Sequence, residues 1–193
     1  MLSGQPIPKS TYPRWAVVGR SNVGKSSLLN AMVHPQELFR TGQRAGVTIG
    51  AIGVRVKVHS HKNAILELVD LPGYGYAERS KHLTESWNQL ASEFRDQTDA
   101  RYLTWIWLVD SRRKPDETDM EVLNWVGRHS MILVFTKSDK IKTGDRPALE
   151  DNWKSVLIHS MEKPIWASAQ NGEGLNHLQR FARASVKDYC DHA

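Results

Sequence analysis

The stretch Gly19-Arg20-Ser21-Asn22-Val23-Gly24-Lys25-Ser26, with Ser27 directly after it, constrains this chain more than any other. It has the form G-x-x-x-x-G-K-[ST]. An apolar run from Trp15 to Val18 precedes it and reads as a buried strand, and Ser27 to Val33 behind it reads as a helix. Strand, glycine-bearing loop and helix in that order make a phosphate site. The glycines let the loop curl so that successive backbone N–H groups converge on phosphate oxygens, and the helix N-terminus adds partial positive charge. Lys25 is then placed to bridge the β- and γ-phosphates of a nucleotide, and the Ser26 hydroxyl to hold Mg²⁺.

At 193 residues the chain is long enough for one domain with a full core. Residues 1–13, with Pro6, Pro8, Pro13 and Gly4, read as an extended lead-in, and 14–193 as a single nucleotide-binding domain. Lys and Arg number 26 against 21 Asp and Glu, a balance of +5 that permits a nucleic-acid partner without requiring one. The single cysteine, Cys190, excludes an internal disulfide and suits a reducing compartment. Asp191 and His192 stand where a prenylation signal needs aliphatic residues. The N-terminus has no apolar core of signal-peptide length, and the longest apolar runs fall far short of a membrane span, so a cytoplasmic protein without a membrane partner is expected.

Six segments read as strands: 15–18, 53–59, 64–69, 102–109, 131–135 and 164–167. The second alternates strictly and joins the third through a His61-Lys62-Asn63 turn, which predicts an antiparallel hairpin. Leu83, Trp87, Leu90, Ala91 and Phe94 predict an amphipathic helix over 81–97. Asp116, Glu117 and Asp119 open the next helix with the acidic first turn that a helix dipole prefers. Asp145 before Pro147 starts another, continuing through Trp153 to Leu157, and the last runs from about Leu175 to Tyr189. Pro35 to Gly50, with Arg40 and Arg44, is polar and irregular, the length of a functional loop. The pattern predicts an α/β fold of three layers: a mostly parallel six-stranded sheet with one antiparallel edge strand and helices on both faces. Ligand loops then sit at the carboxyl ends of the strands. Most of the seven tryptophans fall on apolar core positions.

Three further groups fall at those strand ends. Asp70-Leu71-Pro72-Gly73 places a carboxylate to hold a Mg²⁺-bound water and a glycine N–H near the γ-phosphate. In Thr136-Lys137-Ser138-Asp139, a buried Asp139 carboxylate accepts hydrogen bonds only. Guanine offers it two adjacent donors whereas adenine presents an acceptor, so ATP is rejected by leaving charge unpaired. The Lys137 stem can lie along the base. Ala167-Ser168-Ala169 follows the last strand, and its backbone N–H groups can meet the guanine carbonyl.

In this order the set resembles the motifs of the P-loop GTPases over nearly the whole chain. The loop Gly19 to Leu28 with Asp70-Leu71-Pro72-Gly73-Tyr74-Gly75-Tyr76-Ala77 is similar to the EngB (YihA) family of ribosome-biogenesis GTPases. So are Asp110-Ser111-Arg112 with Asp116, Asp119 and Trp125, then Thr136 to Lys140, then Ser168-Ala169 with Gly172 and Gly174. The resemblance implies a P-loop NTPase fold and a cytoplasmic GTPase that binds the large ribosomal subunit during its assembly, with a role in division and septation. The first switch departs from the family's Pro-Gly-basic-Thr-Gln: this chain has Ala45-Gly46-Val47-Thr48-Ile49. Thr48 keeps a hydroxyl that can join Ser26 on Mg²⁺.

Signalling GTPases orient the attacking water with a glutamine after the D-x-x-G glycine, where this chain has Tyr74. Slow intrinsic hydrolysis is therefore expected. The catalytic set is Lys25, Asn22 and Thr48; Asn22 matches a position that in related GTPases helps hold K⁺ against the phosphates. Arg112-Arg113-Lys114, and Arg180, Arg183 and Lys187 on the outer face of the last helix, are candidates for gripping rRNA phosphates. The expected partners are GTP, GDP and a large-subunit precursor, with no DNA, and the protein acts as a monomer. Two other readings stay open: a GTP/GDP switch that engages a protein partner away from the ribosome, and an ATP-driven enzyme that Asp139 disfavours.

Overall fold

The computed structural model describes residues 10–35, 38–39, 51–58, 64–74, 89, 92–94, 96, 100–126 and 130–192. The strands are β1 (Arg14–Gly19), β2 (Ile52–Lys57), β3 (Ile65–Asp70), β4 (Leu103–Asp110), β5 (Met131–Thr136) and β6 (Ile165–Trp166). They form one sheet in the order β2-β3-β1-β4-β5-β6. β2 pairs antiparallel to β3, and β3, β1, β4, β5 and β6 pair in parallel. The mostly parallel six-stranded sheet with an antiparallel edge is thus the observed one, and β2, being an edge, keeps the half-wet alternation that its sequence carries.

The helices are α1 (Lys25–Val33), α2 (Glu117–Val126), α3 (Arg146–Asn152), α4 (Lys154–Leu157) and α5 (Leu175–His192). Alternation along the central strands sends side chains to two separate cores. Trp15, Val17, Ile106, Leu108, Ile132 and Val134 meet Leu28 and Leu29 of α1 and Leu178, Ala182 and Val186 of α5. Ala16, Val18, Trp105, Trp107, Leu133 and Phe135 meet Val122 and Val126 of α2, with Trp153 and Val156. β1, β4 and β5 are apolar at nearly every position because both faces are covered, and that double cover fixes their carboxyl ends as a rigid rim.

Four tryptophans, Trp15, Trp105, Trp107 and Trp153, are fully buried. Trp153 stands edge-on to Trp107 and to Phe135, with ring centroids 6.2 Å apart in each pair. Such pairs add roughly 1 kcal/mol each beyond area burial. To reach that place the backbone leaves the helix at Trp153 (φ −100°, ψ 11°), so the single helix expected from Asp145 to Leu157 is two, α3 and α4. The Trp153 indole N–H then donates to Arg113 O at 3.1 Å.

The last strand is shorter than its sequence predicts, and Ala167 continues past it with one bond to Phe135 O at 2.8 Å. Of the 81–97 stretch, residues 89, 92–94 and 96 are described and helical, and Phe94 is buried under the Arg14 guanidinium at 5.0 Å. Leu83, Trp87, Leu90, Ala91, His59 and the 61–63 turn lie outside the described residues. The end of the lead-in is tied down: Glu67 N–H donates to Pro13 O at 2.9 Å, and the Tyr189 hydroxyl donates to Thr11 O.

Candidate functional site

β1 ends at Gly19, and the loop that follows turns through Asn22 (φ 61°) and Gly24 (φ 105°) before α1 begins. Gly24 is the N-cap of α1 in the left-handed region, a backbone that a Cβ would strain. Lys25 is 7% exposed, and its ammonium donates to Gly19 O and Arg20 O, each at 3.3 Å. Burial pulls its pKa down, with Asp70 acting the other way. Ser26 Oγ donates to Asp70 Oδ2 at 2.5 Å, while the buried Oδ1 of Asp70 has no hydrogen-bond partner among the described residues. Burial raises the Asp70 carboxyl, and the Ser26 bond and the Lys25 charge offset part of that rise. A hydroxyl beside an orphan carboxylate oxygen is a hard-oxygen donor set that fits Mg²⁺. Thr48, Arg40 and Arg44 lie outside the described residues.

The loop after β3 lies against the phosphate loop. A Cβ on Gly73 would stand 2.6 Å from Ser21 Cα and N, so only glycine permits this approach. Ser21 N–H donates to Tyr74 O at 3.0 Å, Tyr74 N–H to Gly19 O at 3.3 Å, and Ser21 Oγ to Gly73 O at 3.2 Å. The Tyr74 ring turns into the core, 6% exposed. Its hydroxyl donates to Asp119 Oδ1 at 2.9 Å and accepts from Trp107 Nε1 at 2.8 Å. Arg20 lies over that ring at 5.6 Å and reaches Asp116 and Asp119. Gly75, Tyr76 and Ala77 are outside the described residues.

The loop after β5 is bound to the same phosphate loop. Thr136 Oγ1 donates to Val23 O at 2.8 Å, and Lys137 Nζ donates to Asn22 O and to Asp110 Oδ2, both at 2.9 Å. A cavity of about 200 Å³ runs between them, lined by Arg20, Asn22, Tyr74, Asp110 and Lys137 among others. Asp139 is at the rim rather than buried, its side chain 15% exposed. Its carboxylate accepts from Ser168 Oγ at 2.7 Å and pairs with Lys140 at 3.0 Å, and these two hold it below the usual carboxylate range.

Of the three backbone donors expected after β6, Ala167 N–H is spent on Phe135 O and Ser168 N–H on Glu173 O at 3.0 Å. Ala169, exposed, is the remaining donor. Ser27 is exposed on the first turn of α1. Among the basic candidates, Arg112 is half-exposed and paired with Asp110 at 2.7 Å, and Arg113 pairs with Asp116 at 2.8 Å. Lys114 is exposed, as are Arg180, Arg183 and Lys187 on the face of α5 opposite Leu178, Ala182 and Val186.

The model of a family described as 50S ribosome-binding GTPase matches residues 14–137. A probable GTP-binding protein EngB from Levilactobacillus brevis is 39% identical over 182 residues, covering 93% of this chain and 89% of that protein. This chain belongs to the EngB family of GTP-binding proteins. A second member, from Christiangramia forsetii, is 36% identical over 155 residues, 79% of this chain and 75% of that one. The crystal structure of a probable GTP-binding protein engB shares the fold, with a TM-score of 0.64 at 20% identity over 91% of this chain and 99% of that chain. So does Aquifex aeolicus Era bound to GDP.AlF4⁻, at a TM-score of 0.73 and 24% identity over 90% of this chain. The chain spans 56% of that Era chain.

One residue of this EngB-family site, Asn30, escapes motif reading, and two more, Asp110 and Asp119, hold partners that no motif shows. Asn30 on α1 accepts from Leu38 and Phe39 N–H at 3.0 and 2.9 Å and donates to Phe39 O at 2.8 Å, tying these two residues to the helix. Asp110 holds Lys137, and Asp119 holds Tyr74. Nothing in local spacing reveals these partners; only Asp110, at the end of β4, carries a positional signal.

Proposed function

We propose that this EngB-family chain binds GTP and GDP with Mg²⁺, hydrolyses GTP slowly, and acts in assembly of the large ribosomal subunit. A part in cell division would follow from that role. Residues 14–193 act as one GTP-binding unit in the cytoplasm, as a monomer. The observation that carries the guanine reading is the pair of bonds from Thr136 and Lys137 to Val23 and Asn22. They put the Asp139 loop and the phosphate loop on one rim, where one nucleotide can meet both.

In this reading Lys25 exchanges its two carbonyl partners for β- and γ-phosphate oxygens, and the N–H groups of residues 24–26 at the start of α1 complete the cradle. Ser26, Thr48 and, through water, Asp70 would hold Mg²⁺, which supplies charge neutralisation at the phosphates. Asp139 releases Lys140 and, keeping the Ser168 hydroxyl on Oδ1, accepts from the guanine edge; Ala169 N–H faces its carbonyl, and the Lys137 stem flanks the ring. The Tyr74 hydroxyl is committed to Asp119 and Trp107. No amide therefore follows Gly73 to orient water, which supports slow hydrolysis, and Asn22 makes K⁺ the cation expected to speed it. Arg180, Arg183, Lys187 and Lys114 supply the face for rRNA, with Arg112 and Arg113 joining on exchange of their carboxylate partners.

Co-sedimentation with purified large ribosomal subunits tests the assignment. Pelleting in the presence of a non-hydrolysable GTP analogue and loss of pelleting with GDP are expected. Equal recovery with both nucleotides, or none with either, would remove the ribosomal role.

A further inference from the structure

The loops after β5 and β6, which touch directly through Ser138 N–H to Ala167 O and Ser168 Oγ to Asp139, are also tied by a residue that no motif singles out. Glu173 stands between Gly172 and Gly174, and its contacts reach both loops at once. Its Oε2 accepts from Ser138 Oγ at 2.6 Å, the residue next to Asp139. Its backbone carbonyl accepts from Ser168 N–H at 3.0 Å, and Ser168 Oγ in turn donates to Asp139. Its Oε1 pairs with Arg146 Nη1 at 2.7 Å, and that guanidinium lies 4.8 Å over the Trp166 ring. Trp166 is itself stacked on Phe135 at 4.6 Å and donates to Glu150 at 2.7 Å.

The chemistry of these contacts gives them a common direction. Ser138 is 1% exposed, so its hydroxyl has no solvent alternative to the Glu173 carboxylate. A hydroxyl-to-carboxylate bond of this length is charge-assisted and among the stronger ones in a protein. Asp139 follows Ser138 in the same short turn, Ser138–Lys140, so fixing the Ser138 side chain fixes where the Asp139 carboxylate points. On the other side, holding Ser168 N–H keeps the Ser168 hydroxyl at 2.7 Å from Asp139. The Glu173 backbone and side chain thus act on Asp139 from both neighbours, and Arg146 keeps the carboxylate from rotating away.

We infer that Glu173, backed by Arg146, is a positioning residue for base selection: it sets the Asp139 carboxylate to meet two donors of a guanine edge. The inference rests on the guanine reading above. Glu173 touches no nucleotide itself.

Inosine nucleotides supply the test, because hypoxanthine keeps the ring N–H and carbonyl of guanine but lacks the exocyclic amine. A carboxylate in register gains from that amine; one out of register gains little. In the full chain, GDP and IDP affinities are measured by titration for the native protein, Glu173→Ala, Glu173→Gln and Asp139→Asn. Glu173→Ala should weaken GDP about tenfold and IDP no more than about threefold, the loss of one charge-assisted contact. Glu173→Gln keeps an acceptor for Ser138 and should restore most of the GDP preference. Should Glu173→Ala fail to fold, Ser138→Ala removes the same bond from its other end and should narrow the GDP/IDP ratio likewise.

A parallel fall in GDP and IDP affinity would mean that Glu173 only supports the fold, and would overturn the inference. An unchanged ratio in a protein whose GDP binding still depends on Asp139 would overturn it while leaving the guanine reading intact. GDP binding that ignores Asp139→Asn would overturn both.

Discussion

The Lys137 ammonium lies between two oxygens from different segments, Asn22 O of the phosphate loop and Asp110 Oδ2 at the end of β4. Burial by itself would raise the Asp110 carboxyl, but hydrogen bonds from Arg112 and Lys137 outweigh it and hold the group well below the usual carboxylate range. An unfolded aspartate titrates near about 3.9. With the folded value lower, the unfolded chain takes up the proton first, so the Asp110 contribution is full above about pH 5 and is lost as pH falls through the folded value. Asp110→Asn should therefore be less stable than the native protein near neutrality, and the two urea midpoints should converge as pH drops below about 4. A constant gap across that range would remove the linkage. Lys137 and Asp139 are legible because motif spacing marks them; Asp110 is legible only through the family resemblance, since its partner is 27 residues away.

At the scale of elements, the first turn of α2 does more than complement a dipole. Asp116 N–H donates to Asp119 Oδ2 at 3.0 Å and Asp119 N–H to Asp116 Oδ1 at 3.2 Å, a reciprocal cap that satisfies two orphan donors. Asp119 is fully buried, and Tyr74, Arg20 and Arg113 converge on the pair. Burial raises its carboxyl, and the Tyr74 hydroxyl offsets part of that. Replacing Asp119 with Ala removes the acceptor of the Tyr74 hydroxyl and one arm of the cap while Arg20 and Arg113 keep Asp116, and should cost about 2 kcal/mol by urea unfolding. Tyr74→Phe leaves the cap in place and should cost about 1 to 2 kcal/mol. Native-like midpoints in Asp119→Ala would show that the network is dispensable. The acidic residues were visible in the sequence and so was their helix. Their partners, 45 and 99 residues away, were not, because only the closed sheet brings β1, β3 and β4 ends together.

For the whole molecule, the parallel sheet and its two faces were readable because β1, β4 and β5 are apolar on both faces while β2 alternates. Helix ends were readable where Asp145 and Pro147 mark them. The break at Trp153 was not, since it arises from an indole seeking space between Trp107 and Phe135 across the core. Asp139 also stands at the rim and not in the buried place expected of it, its side chain 15% exposed. In the function proposed above, that place is what would join base choice to phosphate capture. Equilibrium titration of GDP, ADP and XDP against the native chain and Asp139→Asn tests this most directly. The native protein should bind GDP with ADP unable to compete, and the variant should lose GDP and gain XDP. An Asp139→Asn protein with native GDP affinity, or a native protein from which ADP displaces GDP, would contradict it.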